Sequence, residues 1–182
     1  TNALETQTNY FLNHWIPNLQ GGTGSKKQEL IPDEWHPPAR IVYVDPRRQV
    51  TVNACETAAG KDRVLHLPVA SGTDLALLNA ILTYVADQGW VDQEFIDNHT
   101  RDFDAALDAS RLSLEEAAEI TGLEVGDIEK AARWIAEPKQ DGSRRRTMSV
   151  YEKGLIWGND NYRTNAAIVN LALATGNVGR LG

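Results

Sequence analysis

Apolar positions along the chain follow two rhythms. Ile41-Val42-Tyr43-Val44 is an unbroken apolar run that stops at Asp45-Pro46, and Arg63-Val64-Leu65-His66-Leu67 is a shorter one that stops at Pro68. Runs of this length between breakers predict strands at 41–45 and 63–67, the first buried on both faces. Proline cannot donate to a ladder and pushes its predecessor toward extended geometry, so the first strand ends at Asp45. Elsewhere the rhythm is helical. Leu75, Leu78, Ile81, Leu82 and Val85 form one stripe, with Thr73 or Asp74 to cap it and Gly89 to stop it. Tyr10, Phe11, Leu12, Trp15, Ile16 and Leu19 give an apolar face to a helix within 1–20 that ends at Pro17 or soon after; the polar opening Thr1–Thr6 reads as a loop feeding it.

The carboxyl-terminal half continues in the helical mode. Asp92 fits the cap of a short helix carrying Phe95 and Ile96. Ser113 and Glu116 have capping-box spacing, and that helix should stop near Gly122. A helix over 125–136 turns Ile128, Ala131, Ala132 and Ile135 inward and ends before Pro138. Residues 140–146 read as a surface loop and Thr147–Tyr151 alternates as a strand. A glycine- and amide-rich loop over 152–161 leads to a last helix over 162–175, apolar nearly all round and so expected to be buried. Residues 51–60 are small and suggest about one helical turn. Strands alternating with helices predict an α/β domain over 1–182, with a mainly parallel sheet flanked by helices and right-handed crossovers.

Composition narrows the function. The chain has 182 residues, 42% hydrophobic and 24% charged, with a net charge of −7. That balance suits a globular domain and disfavours nucleic acid as a partner. No run reaches the roughly 18 apolar residues of a spanning helix. Cys55 is the sole cysteine, which excludes an internal disulfide and a cysteine-held cluster in this segment. Ala54 and Glu56 flank it without a cation, so an inert thiol is expected. His14, His36, His66 and His99 have no metal-ligand spacing. The chain opens without Met and closes on Arg180-Leu181-Gly182 just after a helix stop. It reads as an internal fragment, for which a missing targeting signal means nothing.

In a parallel sheet, the loops that follow the strands gather on one edge, where open α/β folds bind nucleotides. Four segments offer groups there: Asn2–Thr6, Asp45–Gln49, Gly72–Asp74 and Lys153–Asn161. Arg47 and Arg48 suit a phosphate, or are simply a solvated turn. Asp74 suits guanine, whose ring N–H and exocyclic amine are adjacent donors that one carboxylate accepts together. Gly72 permits close backbone approach. The competing reading is that Thr73 and Asp74 only cap a helix. Gly21–Lys27 lacks phosphate-loop spacing, and no Gly-x-Gly-x-x-Gly follows a strand, so nicotinamide cofactors are not indicated.

Ala39-Arg-Ile-Val-Tyr-Val-Asp-Pro-Arg47, Gly72-Thr-Asp-Leu-Ala-Leu-Leu78, Thr121-Gly-Leu123 and Ala174-Thr-Gly-Asn-Val-Gly-Arg-Leu-Gly182 occur in this order. Together they resemble the dimethyl sulfoxide reductase family of molybdenum oxidoreductases, which carry molybdenum on two molybdopterin guanine dinucleotides. Glu5–Trp15 and Tyr151–Tyr162 are most similar to the arsenite oxidase large-subunit branch. The resemblance implies a Rossmann-like cofactor-binding domain of a larger multidomain enzyme. It implies that Asn2, Ala3, Leu4, Glu5 and Thr6, then Asp45, Pro46, Arg47, Arg48 and Gln49, then Gly72, Thr73 and Asp74 hold one guanine dinucleotide, with Asp74 on the guanine. Lys153 and Gly154 match a segment that approaches the pterin, although Lys153 stands where some relatives have an uncharged residue. No catalytic residue and no metal ligand falls within this segment. The resemblance further implies an iron–sulfur cluster bound upstream, a small Rieske-type iron–sulfur partner subunit and arsenite as substrate. It also implies an electron acceptor such as a soluble cytochrome, and a periplasmic setting. Nitrate reductase or formate dehydrogenase of the same family, and a noncatalytic nucleotide-binding α/β module, are the alternatives.

Overall fold

The computed structural model describes residues 2–21, 38–158 and 160–179. Most of the glycine-rich Gly21–Lys27 stretch and the last residues of the closing phrase lie outside these. The chain divides into two compact units, Thr1–Pro68 and Val69–Gly182.

The first unit opens with α1 (Ala3–Thr6), α2 (Thr8–Tyr10), a π-helical stretch Phe11–Trp15 and α3 (Ile16–Leu19). One sequence expectation is corrected here: the opening is a helical turn rather than a loop. The helical stretch ends at Leu19, soon after Pro17, as expected. Proline stands in the first turn of α3, straight after the wider π ladder, where a missing N–H costs little. Then come β1 (Ile41–Val44), α4 (Val50–Ala59), a 3₁₀ turn Lys61–Arg63 and β2 (Val64–Leu67). The strands pair in parallel, Ile41 opposite Val64 and Val44 opposite Leu67. Parallel pairing needs a crossover, and α4 supplies it. That is why a full helix stands where small residues suggested one turn: buried Thr51, Val52 and Cys55 anchor it, and packing outweighs weak propensity. The core joins Ala3, Phe11, Leu19, Tyr43, Val52, Cys55 and Val64. β1 is not buried on both faces; Tyr43 is buried but Val44 is 38% exposed, because the sheet described has only two strands.

The second unit is helical: α5 (Asp74–Asp87), α6 (Gln93–His99), α7 (Phe103–Ser110), α8 (Leu114–Thr121), α9 (Val125–Ala136), α10 (Lys153–Ile156) and α11 (Asn161–Ala174). α5 is its axis and packs against α7, α8, α9 and α11. Leu77, Ala80, Ile81, Leu82, Thr83 and Val85 are its buried positions. The expected stops and caps hold at α6, where Asp92 Oδ1 accepts from Phe95 N at 3.0 Å, and at α8, where Ser113 and Glu116 form the reciprocal box and Gly122 ends the helix. α7, which the sequence reading passed over, starts from Asp102 with φ of 56°.

Three expectations fail in this unit. Thr147–Tyr151 forms no strand and pairs with none among the described residues. Instead Thr147 N donates to Asn177 Oδ1 at 3.1 Å, Thr147 Oγ1 donates to the Ile135 carbonyl at 2.8 Å, and Met148 is 63% exposed. The loop after it holds the short helix α10. α11 is half-buried rather than enclosed: Thr164, Ala167, Leu171 and Ala174 face in while Val169 is exposed. The 140–146 loop stands, but Arg144 is not simply solvated. Its Nε pairs with Asp92 Oδ2 at 3.1 Å and its guanidinium donates to the Val91 carbonyl at 2.8 Å.

Candidate functional site

In the first unit the structure brings two of the four expected segments together at the amino end of α4. The link is Thr51, in the first turn of that helix and fully buried. Its hydroxyl donates to Asn2 Oδ1 at 2.7 Å and accepts from Leu4 N at 3.2 Å. Ala3, between them, is a core residue, whereas Glu5 and Thr6 are exposed. The Tyr43 hydroxyl also bonds the Thr51 side chain; burial raises the phenol above its usual range, and the hydrogen bond opposes that rise.

The strand-end segment divides its charged residues by task. Asp45 Oδ1 accepts from Arg47 N at 2.9 Å and Oδ2 accepts from Gln49 Nε2 at 2.5 Å, which closes the turn around Pro46. The Asp45 carbonyl accepts from His66 Nε2 at 2.9 Å, and Asp45 N still donates to Leu67 O at 3.2 Å, so the ladder reaches one residue beyond β1. Arg48 is bound back onto α4, to Asn53 Oδ1 at 3.1 Å and in an ion pair with Glu56. Arg47 is exposed and makes no ion pair among the described residues. Cys55, under the same helix, is fully buried, and desolvation pushes its thiol up to about 11, so the expectation of an inert thiol holds.

In the second unit, Gly72 and Thr73 lead straight into α5. Gly72 has φ of 87°, a left-handed conformation, and no atom lies within 4 Å of where a Cβ would stand, so its backbone is open to close approach. The cap reading of this phrase is corrected. Thr73 stands at the N-cap position of α5, but its Oγ1 donates to the Ala70 carbonyl at 2.7 Å and makes no cap hydrogen bond, and Asp74 is the first helical residue. Asp74 is half-buried in the first turn, where a negative charge is favoured. Lys153 and Gly154 open α10, a different element; both are exposed, and Lys153 Nζ sits 4.7 Å from the Trp157 ring centre.

Sequence reasoning missed Thr51, Asn53 and Glu56. The available signal was the pair Thr51 and Cys55, one helical turn apart and flanking Val52 on a single face; only a full-length α4 makes that face visible.

The family model described as molybdopterin oxidoreductase matches residues 20–182. The chain belongs to the molybdopterin oxidoreductase family. It is 49% identical over 181 residues to arsenite oxidase subunit AioA of Herminiimonas arsenicoxydans, a match over 100% of this chain and 22% of that subunit. It is 32% identical over 184 residues to iodate reductase subunit IdrA of Denitromonas iodatirespirans, covering 82% of this chain and 20% of that subunit. The nitrate reductase of Synechocystis is 27% identical over 148 residues, 81% of this chain and 19% of the enzyme. The chain thus spans about a fifth of the length of these molybdopterin oxidoreductases. Acetylene hydratase from Pelobacter acetylenicus superposes with a TM-score of 0.66 over 77% of this chain and 18% of that one, at 22% identity, which supports the α/β fold alone. The family's cofactor is molybdenum carried on molybdopterin, an anionic group, and each unit by itself offers chemistry that fits one. In the first unit Arg47 is an exposed cation with no ion pair among the described residues. In the second, Gly72 presents open backbone and Thr73 makes no side-chain cap hydrogen bond at the start of α5.

Proposed function

We propose that residues 1–182 form a domain that binds the nucleotide tail of the cofactor in a molybdenum oxidoreductase converting arsenite to arsenate. The observation that carries this reading is the 49% identity to arsenite oxidase subunit AioA along the whole chain, well above the 32% and 27% to the iodate and nitrate reductases. The tail is a guanine dinucleotide, one of two that carry the metal. Bound molybdenum supplies the two-electron chemistry that adds a water-derived oxygen to arsenite.

This chain's residues bind and orient. Arg47 presents a planar guanidinium to the tail's diphosphate. Asp45 and Gln49 hold the turn that aims it, and Arg48 fastens that turn to α4. Asp74 accepts from the ring N–H and the exocyclic amine of guanine, and Gly72 and Thr73 let the base approach the backbone. Asn2–Thr6 forms a further wall, and Lys153 and Gly154 approach the pterin. Electrons leave through iron–sulfur centres, one on residues outside this segment and one on a small Rieske-type subunit, to an acceptor such as a cytochrome in the periplasm.

Arsenite-dependent reduction of a redox dye by the intact protein tests the substrate. Clean protein with full molybdenum loading and no such activity would overturn arsenite. Activity with nitrate or formate in its place would move the assignment within the family. Family membership weighs against the noncatalytic module.

A further inference from the structure

We infer that Thr51 is a positioning residue: its hydroxyl locks the Asn2–Thr6 segment to the amino end of α4, so that the nucleotide tail meets one preformed cradle. The inference rests on the tail-binding reading above and adds to it a residue outside the segments that reading names. Thr51 is fully buried. One hydroxyl offers one donor and two acceptor positions. Here the donor goes to Asn2 Oδ1 at 2.7 Å and one acceptor position takes Leu4 N at 3.2 Å, so a single side chain fixes both the side chain and the backbone of the opening segment.

The same first helical turn is continuous with the strand-end turn. Gln49 is the residue before α4, and its amide donates to the Asp45 carboxylate, which in turn accepts from the Arg47 backbone. An unbroken path of hydrogen bonds and one helical turn therefore joins Asn2 and Leu4 to Arg47. A threonine that only filled space would tolerate valine, its near-isostere. A threonine that positions would not, because valine strands the Leu4 N–H and the Asn2 amide oxygen without their partner.

The test uses the intact protein with Thr51→Val, Thr51→Ser and Asn2→Ala, and two readouts. One is amide hydrogen exchange over residues 2–6. The other is guanine nucleotide released by acid hydrolysis, counted per protein. For T51V we expect exchange at Leu4 to speed up about tenfold, in line with the loss of a part-buried hydrogen bond, and nucleotide content to fall severalfold. T51S keeps the hydroxyl and stays near the wild type. N2A is read through exchange at Leu4, because Asn2 itself belongs to the tail segment; that exchange should also speed up, and it carries the test if T51V does not fold. Wild-type values in T51V, or an equal loss in T51S, would overturn the inference while leaving the tail reading intact. Wild-type protein that holds molybdenum but releases no guanine nucleotide would overturn the tail reading, and this inference with it.

Discussion

Arg47 and Arg48 are adjacent, yet Arg48 is tied to Asn53 and Glu56 on α4 while Arg47 faces outward. Their substitutions should therefore separate two properties. Arg47→Ala is expected to lower nucleotide and molybdenum content on the order of tenfold, the worth of one charged hydrogen-bonding group, with the melting temperature nearly unchanged. Arg48→Ala is expected to do the reverse, costing at most about 1 kcal/mol as a surface ion pair and lowering cofactor content much less than Arg47→Ala, since it only loosens the turn that carries Arg47. Equal cofactor loss in both variants would contradict the division. The sequence showed two cations after a strand but not which one the helix would claim, because Glu56 and Asn53 reach Arg48 only once α4 is wound. Cys55 gives a pH prediction. A buried thiol whose folded pKa is raised favours the protonated form, so its contribution is complete below the unfolded value near 9 and is lost as pH climbs toward about 11. The melting temperature should fall across that window, and Cys55→Ala should flatten the fall; an equally steep fall in the variant would assign the alkaline loss to other groups.

At the scale of elements, what the sequence disclosed is what local chemistry decides. The Ser113–Glu116 box, the Asp92 cap and the Gly122 stop each rest on residues within four positions of one another. They were legible for that reason. α4 and the half-exposed α11 depend on what lies across the fold, and Thr147–Tyr151 lost its strand to bonds with Ile135 and Asn177. Ser113→Ala should cost about 1 kcal/mol, read as a shift in urea midpoint. The pH arm follows from Glu116, whose hydrogen bonds from Ser113 hold it below its ordinary value. The stability these bonds confer is present above the unfolded carboxylate range and is lost as pH falls through the lowered folded value, so the S113A penalty should shrink in acid. Glycine contrasts are sharper. Gly122 and Gly176 both have positive φ, of 73° and 64°, but a Cβ at 122 meets open space and one at 176 would stand 2.3 Å from Asp92 Oδ2. Alanine at 122 should cost about 1 kcal/mol of left-handed strain. Alanine at 176 should cost distinctly more, since Asp92 also caps α6 and pairs with Arg144 and cannot give way freely. Equal urea midpoints for the two variants would show that the Asp92 contact relaxes at no cost.

At the scale of the whole molecule, family and substrate are written in different places. Two of the phrases that carry the family resemblance, Ala39–Arg47 and Gly72–Leu78, overlap the residues proposed to hold the cofactor's tail, and relatives named for arsenite, iodate and nitrate chemistry align over this same segment. A segment that proteins with different substrates have in common is poorly suited to choosing among them. Yet the segment is only about a fifth of the relatives' length, so in those relatives there is ample chain elsewhere to make that choice. If the reading is right, damage here changes how much cofactor is held and not what the bound cofactor meets. In the intact protein, Asp74→Asn removes the charge that accepts from guanine while keeping the side chain's shape. Loss of a charge-assisted pair is worth about 1.5–3 kcal/mol, so nucleotide content should drop at least tenfold at limiting cofactor. Arsenite-dependent turnover per protein should fall in step with bound molybdenum, and KM for arsenite should hold. A changed KM at full molybdenum loading would place this segment against the substrate and reverse the argument; unchanged molybdenum, nucleotide and turnover together would remove Asp74 from the guanine pocket.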